Sequence, residues 1–573
     1  MPVTNAEIAS ELEKLAELLE IDGANNFRVR AYRQAARLVG ALGRNVAEMA
    51  AAGETLEGEP GIGADLAGKI ATLARGEKLP LLTELTAKNP VGITALLDLP
   101  GLGPKRVHQL RDSLGIDSLA KLKAAVDAGK LSAVPGFGSG IIDRLRQALA
   151  KGAGAKPRML LATADQIAAP LLAAVRRAKG VTAAEIAGSC RRRRETVGDL
   201  DIIACAADPA PVMVAFTRYE DVKDVLEQGS TRASVVLRSD LQVDLRVVGE
   251  ESYGSALLYF TGSKPHSIAL RQIALDRKLK LNEYGLFRGA RRVAGKTEEE
   301  VYEKLGLPLI PPELREAEGE IEAARAHRLP HLVTVEDMRG DLHSHTDATD
   351  GRAPLAAMAE AAKSRGYAYY AVTDHSRRMT MAHGLDPKRL GRQIDAIARL
   401  NRELDGFTVL AGIEVDILED GRLDLPDDIL CRLDIVVGSI HTSFNLTAEK
   451  QTERLLRAMD NPLLSIVGHP TGRLINQRDP YAIDMERVIR GAGERGCHLE
   501  VNANPERLDL DSHHARFAKE IGVTIAISTD SHDPSHFAFM RYGVDQARRG
   551  WIEAKDVINT RPLGELRKLL KRT

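Results

Sequence analysis

With 573 residues, 44% of them hydrophobic and 28% charged, the chain has the composition of a protein built from several globular domains. No apolar run approaches the roughly 20 residues that span a bilayer, and the opening MPVTNAEIASELEKL lacks the basic-then-apolar pattern of a secretory signal, so no membrane association and a cytoplasmic location are expected. Four scattered cysteines make no disulfide framework, and a net charge of -1 excludes any nucleic-acid argument from bulk charge alone.

The first predicted helix, AEIASELEKLAELLE, sets Ile8, Leu12, Leu15, Leu18 and Leu19 on one face. The next, FRVRAYRQAARLVGAL, carries Arg28, Arg30, Arg33 and Arg37, whose spacing by itself describes a solvated face. Then Pro-Gly-apolar-Gly recurs three times, at Glu59–Gly63, Leu99–Gly103 and Val134–Gly138, each copy followed by a helical stretch. Proline ends one helix, and the glycines allow a tight turn that leaves amides free at the start of the next, where a phosphate oxygen can sit. This is the helix–hairpin–helix pattern. Gly61, Gly63, Gly101, Gly103, Lys105, Gly136 and Gly138 are its candidate contacts to a DNA backbone, with Arg106 and Arg144 adding charge. Gly152–Pro157 reads as a linker.

From about 159 to 315, helices alternate with β-rich runs such as AEIAGS, DLDIIAC, SVVLRS and LQVDLRVV. Asp199 and Asp201 lie one residue apart on a predicted strand and therefore project to one face. With Asp244 from LQVDLR they could hold two Mg²⁺ for phosphoryl transfer, and the upstream Gly188-Ser189 and arginines can meet a triphosphate. PPELREAEGEIEAARAHRLP is expected to form one long charged helix leading to a junction near 330–338.

Beyond that junction, short apolar strands each run into polar residues: GDLHSH, YYAVTDH, TVLAGIEVDI, DIVVGSIH, LSIVGHP, HLEVNAN and TIAISTDSH. Eleven of the 15 histidines follow residue 340. Such a βα alternation with its polar residues at strand ends predicts a barrel-like domain with a site at that face. His343, His345, Asp350, His375, Glu414, His441, His469, Asp530 and His532 could assemble two or three ions, and mixed imidazole and carboxylate ligands suit Zn²⁺, Mn²⁺ or Fe²⁺. His383, His498, His513, His514 and His536 are read as structural or surface residues.

Residues 5 to 315 resemble the X family of DNA polymerases, the group of polymerase beta, through Gly188-Ser189…Gly198-Asp-Leu-Asp201, Tyr259-Phe-Thr-Gly-Ser263 and Leu281-Asn-Glu-Tyr-Gly285. The resemblance implies metal binding by Asp199, Asp201 and Asp244, with Asp244 also acting on the primer 3′-hydroxyl. It implies nucleotide binding by Gly188, Ser189, Arg192, Gly198, Tyr259, Phe260, Gly262 and Arg271. Lys69 stands at the family's Schiff-base lysine, a candidate for lyase chemistry, although Asp65 replaces a basic residue there. Lys264 and Ser267 depart from the Asp and Asn that contact the base in polymerase beta. Residues 338 to 570 resemble the PHP (polymerase and histidinol phosphatase) domain, whose motifs imply a trinuclear site on the nine positions named above.

Together these imply a multidomain α+β and α/β protein. Its parts are a helix–hairpin–helix N-terminal region, a nucleotidyltransferase palm with thumb, and a C-terminal distorted β/α barrel. The expected boundaries are 1–85 and 86–155 for the helical DNA-binding region, 156–250 palm, 251–315 thumb, 316–337 linker and 338–573 PHP domain. The implied activities are gap-filling DNA synthesis in base excision repair and a 3′–5′ exonuclease, with AP-endonuclease or 3′-phosphatase activity as further options for the barrel. The expected cofactors are Mg²⁺ or Mn²⁺ at the polymerase site and two or three Zn²⁺, Mn²⁺ or Fe²⁺ in the barrel. The expected partners are gapped or primed DNA and deoxynucleoside triphosphates, bound by a monomer associated with the nucleoid. The alternatives are a histidinol-phosphate-type phosphatase tethered to a DNA-binding region, and a DNA-binding scaffold without catalysis.

Overall fold

The computed structural model describes residues 3–570 apart from 4, 23, 42–45, 60, 89–92, 94–95, 97–98, 100–101 and 151–157. Gly101 and the side chains of Arg37, Lys105 and Arg144 lie outside the described residues. Two compact units divide the chain, Met1–Pro157 and Arg158–Thr573.

The first unit is helical. In Asn5–Ile21 the anticipated apolar stripe is buried, with Ile8, Leu12, Leu15 and Leu18 fully out of water. On Asn26–Ala41, Arg28 and Arg30 are exposed while Arg33 pairs with Glu13 and Glu20. The three Pro-Gly-x-Gly segments share one backbone hydrogen bond among their described residues. The amide of the x residue closes each turn onto the carbonyl three residues back: Ile62 to Glu59, Leu102 to Leu99 and Phe137 to Val134. Those x side chains, Ile62, Leu102 and Phe137, are buried as apolar plugs. Gly61 and Gly136 share a φ of +85°, open only to glycine without strain. Gly63 and Gly103 then head the helices Ala64–Ala74 and Pro104–Leu114, and Ser139–Ala150 follows Gly138.

The second unit begins with a five-stranded sheet in the order Val181–Ile186, Asp199–Ala206, Gln242–Val248, Arg232–Leu237, Val222–Gln228. Leu200, Ile202, Val243 and Leu245 face a core under the helices Leu161–Arg177 and Ala210–Thr217. On the opposite face Ile203 packs with Ala256 and Leu257 of the helix Tyr253–Thr261. Period-two alternation therefore sends Asp199 and Asp201 to the side away from the main core.

A smaller antiparallel sheet, Lys280–Asn282, Gly285–Arg288 and Arg291–Ala294, packs with the helices Lys264–Asp276 and Glu298–Lys304. The single long charged helix expected over 311–330 does not form. A 3₁₀ turn at Pro312–Leu314 and a short helix, Glu320–Arg325, replace it, interrupted by positive φ at Ala317 and Gly319. The short helix is no free tether: Ile321 and Ala324 enter the core, and Glu320 is buried against His266 at 2.6 Å.

The last part is a seven-stranded sheet, parallel throughout and in sequence order: Gly340–Asp341, Tyr369–Val372, Thr408–Asp416, Ile435–Ser439, Ile466–Val467, His498–Asn502 and Ile525–Ser528. Just past its first and last strands, a parallel bridge between Ser344 and Ser531 brings the edges together into a nearly closed barrel. Leu342, Tyr369, Leu410, Val437 and Ala526 fill the interior, with Ile558, Leu566 and Leu570 in the same cluster. Strands buried on both faces need near-continuous apolar sequence, which Tyr369–Val372, Ile435–Ser439 and Ile525–Ser528 have, whereas His498–Asn502 alternates polar and apolar residues. No helix among the described residues is long and apolar enough to cross a membrane.

Candidate functional site

Two acidic centres emerge from this framework. In the palm, Asp201 pairs in register with Asp244 on the adjoining parallel strand, so their side chains leave the same face side by side. Burial, then the charges of Asp199 and Asp244, push the Asp201 carboxyl up to about 7. Asp244 Oδ1 is buried and has no hydrogen-bond partner, while its Oδ2 accepts from Gln242 at 3.3 Å. A crowded carboxylate set with an orphaned buried oxygen fits a divalent cation.

Gly188 cannot carry a side chain here, because a Cβ would lie 2.5 Å from Asp201 Oδ2, and its φ is +61°. At Gly198 a Cβ would meet Arg158 Nη1 at 2.9 Å. Ser189 is half-buried, and its carbonyl accepts from the Arg194 amide at 3.0 Å. Tyr259 and Phe260 stand edge to face at 5.0 Å, capped by Arg271 over Tyr259 and Arg246 over Phe260. Gly262 lies beside Arg192. Arg192 itself donates to the Thr261 carbonyl and to Glu316 at 3.1 Å, so a triphosphate would have to draw it from those partners. Lys264 is exposed and Ser267 partly buried.

The barrel centre is organised around Glu414. Its Oε1 lies 2.9 Å from His469 Nε2, 3.3 Å from His441 Nε2 and 3.5 Å from His343 Nε2. Its Oε2 lies 2.7 Å from His375 Nδ1 and 3.7 Å from His345 Nε2. Asp530 Oδ1 stands 3.1 Å from His345 Nε2, and Asp350 Oδ2 reaches His375 at 3.4 Å and His532 at 3.5 Å. Three sets of potential ligands result: His345, Asp350, His375 and His532; His343, His345 and Asp530; and His375, Glu414 and His441. All nine anticipated positions meet at this one place, at or just past the C-terminal ends of strands or in the loop after the first. No other ligand set that close exists among the described residues, the palm aspartates included.

Few of these side chains hydrogen-bond to one another; the pairs that do are His469 Nε2 with Glu414 Oε1 at 2.9 Å and His345 Nε2 with Asp530 Oδ1 at 3.1 Å. His343 Nε2, His345 Nδ1, His375 Nδ1, His469 Nδ1 and Glu414 Oε2 are buried without an aligned partner, which a bound cation would provide. Burial opposes charge on Glu414, but His441, His375 and His343 hold it well below the ordinary carboxylate range. Burial, then the charges of His532 and His375, push His345 down to about 3, leaving a neutral imidazole suited to ligation.

Sequence reasoning missed the supporting carboxylates. Glu500 holds His343 Nδ1 at 2.7 Å and the His469 amide at 2.7 Å, and Asp416 holds His441 Nδ1 at 2.8 Å. Asn502 donates to Glu500 and Asp530. Their signal was the period-two spacing of polar residues inside strands otherwise wholly apolar. By contrast, His498 turns to Thr524 and the Leu569 carbonyl, and His514 to Asp511, outside the cluster of candidate ligands.

In the helical unit, Lys69 donates to Asp65 at 2.6 Å and Tyr32 at 2.8 Å. Burial works to lower its pKa, yet the bonds to Asp65 and Tyr32 prevail and raise it. Schiff-base formation needs the free amine, so borohydride trapping on a 5′-deoxyribose-phosphate substrate should give no more adduct than the Lys69→Ala variant gives. Trapping that depends on Lys69 would contradict this.

The barrel and palm define a nucleotidyltransferase joined to a metallophosphoesterase, and comparison with known proteins makes the class specific. Family models match as DNA polymerase beta thumb over residues 256–316, helix-hairpin-helix domain over 3–79, SAM-like helix-hairpin-helix tandem over 93–151 and PHP domain over 341–504. A Bacillus subtilis protein named DNA polymerase/3'-5' exonuclease PolX is 38% identical over 99% of this chain and 99% of its own. A probable phosphatase of Thermoanaerobacter is 30% identical over 40% of this chain and 94% of its own. A crystal structure of Leishmania infantum polymerase beta matches at 22% identity and a TM-score of 0.27, covering 39% of this chain and 97% of that one. The chain belongs to the PolX family, the X-family DNA polymerases that carry a C-terminal PHP domain.

Proposed function

We propose that this protein extends primers across short gaps in DNA, as base excision repair requires, and removes 3′ nucleotides through its PHP domain. The observation that carries the reading is the presence of two separate acidic centres in one chain: Asp201 in register with Asp244, and nine candidate ligands, Glu414 among them, gathered in the barrel. The name of the Bacillus subtilis relative, which covers nearly the whole chain, joins the same two activities.

Asp199, Asp201 and Asp244 hold the palm cations, and the free Oδ1 of Asp244 is available to the primer 3′-hydroxyl. Gly188, Ser189 and Gly198 let the triphosphate approach the backbone, and Tyr259 and Phe260 line the sugar. In the barrel, His343, His345, Asp350, His375, Glu414, His441, His469, Asp530 and His532 are the ligands, oriented from behind by Glu500 and Asp416. Mg²⁺ or Mn²⁺ in the palm, and two or three Zn²⁺, Mn²⁺ or Fe²⁺ in the barrel, would supply Lewis acidity and charge neutralisation for phosphoryl transfer. The three hairpins, which share the same closing hydrogen bond, grip the DNA backbone through helix-start amides, which gives binding without base preference. The domains follow the boundaries 1–85, 86–155, 156–250, 251–315 and 338–573, with 316–337 packed into the thumb core instead of forming a free linker. The protein works as a monomer in the nucleoid.

Elemental analysis of protein purified without added metal should find retained Zn, Mn or Fe, and a metal-free preparation whose nuclease does not respond to Mn²⁺ would count against the barrel site. The rival reading is a small-molecule phosphatase, favoured only by phosphatase relatives that match 40% of the chain or less. Primed gapped DNA with deoxynucleotides and Mg²⁺, set against histidinol phosphate, separates them. Extension of the primer with no release of phosphate from histidinol phosphate is the expected result, and the reverse would overturn the proposal.

A further inference from the structure

Between the nucleotide motif Gly188-Ser189 and the metal ligand Asp199 runs Arg191-Arg-Arg-Arg-Glu195. Its side chains divide between two neighbours. Arg191 makes a two-point contact with Glu298 at 2.9 and 2.6 Å, and Arg192 reaches Glu316, so these two are tied to the thumb side. Arg193, at a φ of +56°, turns the other way. It clamps Asp165 at 2.9 and 2.8 Å and reaches Asp545 at 2.7 Å on the barrel helix Met540–Arg549. Glu195 accepts from Arg473 and Gln546 of the barrel, each at 2.6 Å. Arg549 donates to the Arg192 carbonyl at 2.9 Å. Leu508 and Tyr542 of the barrel domain join the palm's own apolar core.

These contacts are mostly withdrawn from water: side-chain exposure is 17% at both Arg193 and Asp545, and 13% at Arg473. They are more than surface decoration, because exposed pairs contribute little and partly buried charge-assisted ones hold geometry. The loop they grip is bonded directly to the nucleotide motif, Arg192 through its amide to the Gly188 carbonyl and Arg194 to Ser189. The Glu195 carbonyl accepts from the Leu161 amide, and the next residues, Thr196–Val197, pair with Met159–Leu160 before Asp199 begins its strand.

We propose that the PHP domain completes the polymerase's nucleotide site. Arg473, Asp545, Gln546 and Arg549 are positioning residues that hold Arg191–Glu195, and with it Ser189, where the incoming triphosphate binds. The inference rests on the polymerase reading above and adds the dependence of that site on the barrel. A positioning role shows in nucleotide affinity more than in turnover.

The test uses the full-length protein on gapped DNA, with KM for the deoxynucleotide and kcat measured for Glu195→Gln, Arg473→Gln, their double variant and the milder, volume-conserving Gln546→Met. Each charge removal should raise KM about tenfold with kcat within about threefold of wild type. The double variant should be no worse than the worse single, since both remove one interaction. Gln546→Met should give a smaller rise of the same kind, and Glu195→Gln should leave 3′–5′ degradation unchanged. KM values unaltered in all three single variants would overturn the proposal, as would effects of the two charge removals that multiply in the double. A fall in melting temperature with equal loss of synthesis and degradation would also overturn it, by showing general loosening. A wild-type protein that extends no primer would instead sink the polymerase reading itself.

Discussion

Asp199→Asn combined with Asp201→Asn reduces nucleotide incorporation by about 10³-fold or more and leaves 3′ degradation at its wild-type rate. The substitution keeps the shape of both side chains and removes two of the three charges that crowd this face. Asp201 is the sensitive one. It is flanked by Asp199 on its own strand and by Asp244 in register on the next, and burial with those neighbours already lifts its carboxyl to about 7. Neutral amides there cannot offset the charge of a cation and a triphosphate. Primer extension on a gapped duplex reads the effect, and incorporation within about tenfold of wild type would mean that other carboxylates carry the chemistry.

Glu414→Gln has the opposite selectivity. Its two oxygens lie within 3.7 Å of five imidazoles, His343, His345, His375, His441 and His469, so no other residue touches as much of the barrel centre. Removing that charge strips the anion common to the ligands, and metal retention and 3′ degradation should fall together, the latter by about 10³-fold or more. Synthesis on gapped DNA should persist. Metal content per chain and loss of labelled 3′ nucleotides check the two halves, and full retention of metal with normal degradation would move the nuclease elsewhere. Breaking a buried charge cluster costs about 3–5 kcal/mol when one partner goes, so a lower melting temperature is expected as well.

Much of this was legible in the sequence because it was written in strict periods. The stripe Ile8, Leu12, Leu15 and Leu18 has the helical repeat and is wholly buried. The Pro-Gly-x-Gly turns declared themselves by repetition, and the plugs Ile62, Leu102 and Phe137 show why the third position is apolar. The candidate barrel ligands stood out because histidine at the end of an apolar run has few other reasons to recur. What escaped lacked such periodicity. Val222–Gln228 is an edge strand exposed along nearly its whole length, and its charged sequence, which discourages edge pairing, hides it among loops. The break at Ala317 and Gly319 was masked by a helix-favouring composition, and tertiary packing of Ile321 and Ala324 overrode it.

Glu500 and Asp416 were overlooked for another reason: their period-two placement within a strand is readable, but what they orient is not. A residue that orients a ligand is defined by what it touches across 157 or 25 positions of chain, as the His343–Glu500 and His441–Asp416 bonds do here. The same holds for Glu195 and Arg473, 278 positions apart.

Two independent centres in one chain are tested most directly by following one labelled primer in a gapped duplex, with wild-type protein, the Asp199→Asn/Asp201→Asn variant and Glu414→Gln side by side. With deoxynucleotides and Mg²⁺, wild type and Glu414→Gln should lengthen the primer and the double variant should not. Without deoxynucleotides and with Mn²⁺, wild type and the double variant should shorten it and Glu414→Gln should not. Loss of both lengthening and shortening in either variant would contradict two separate centres.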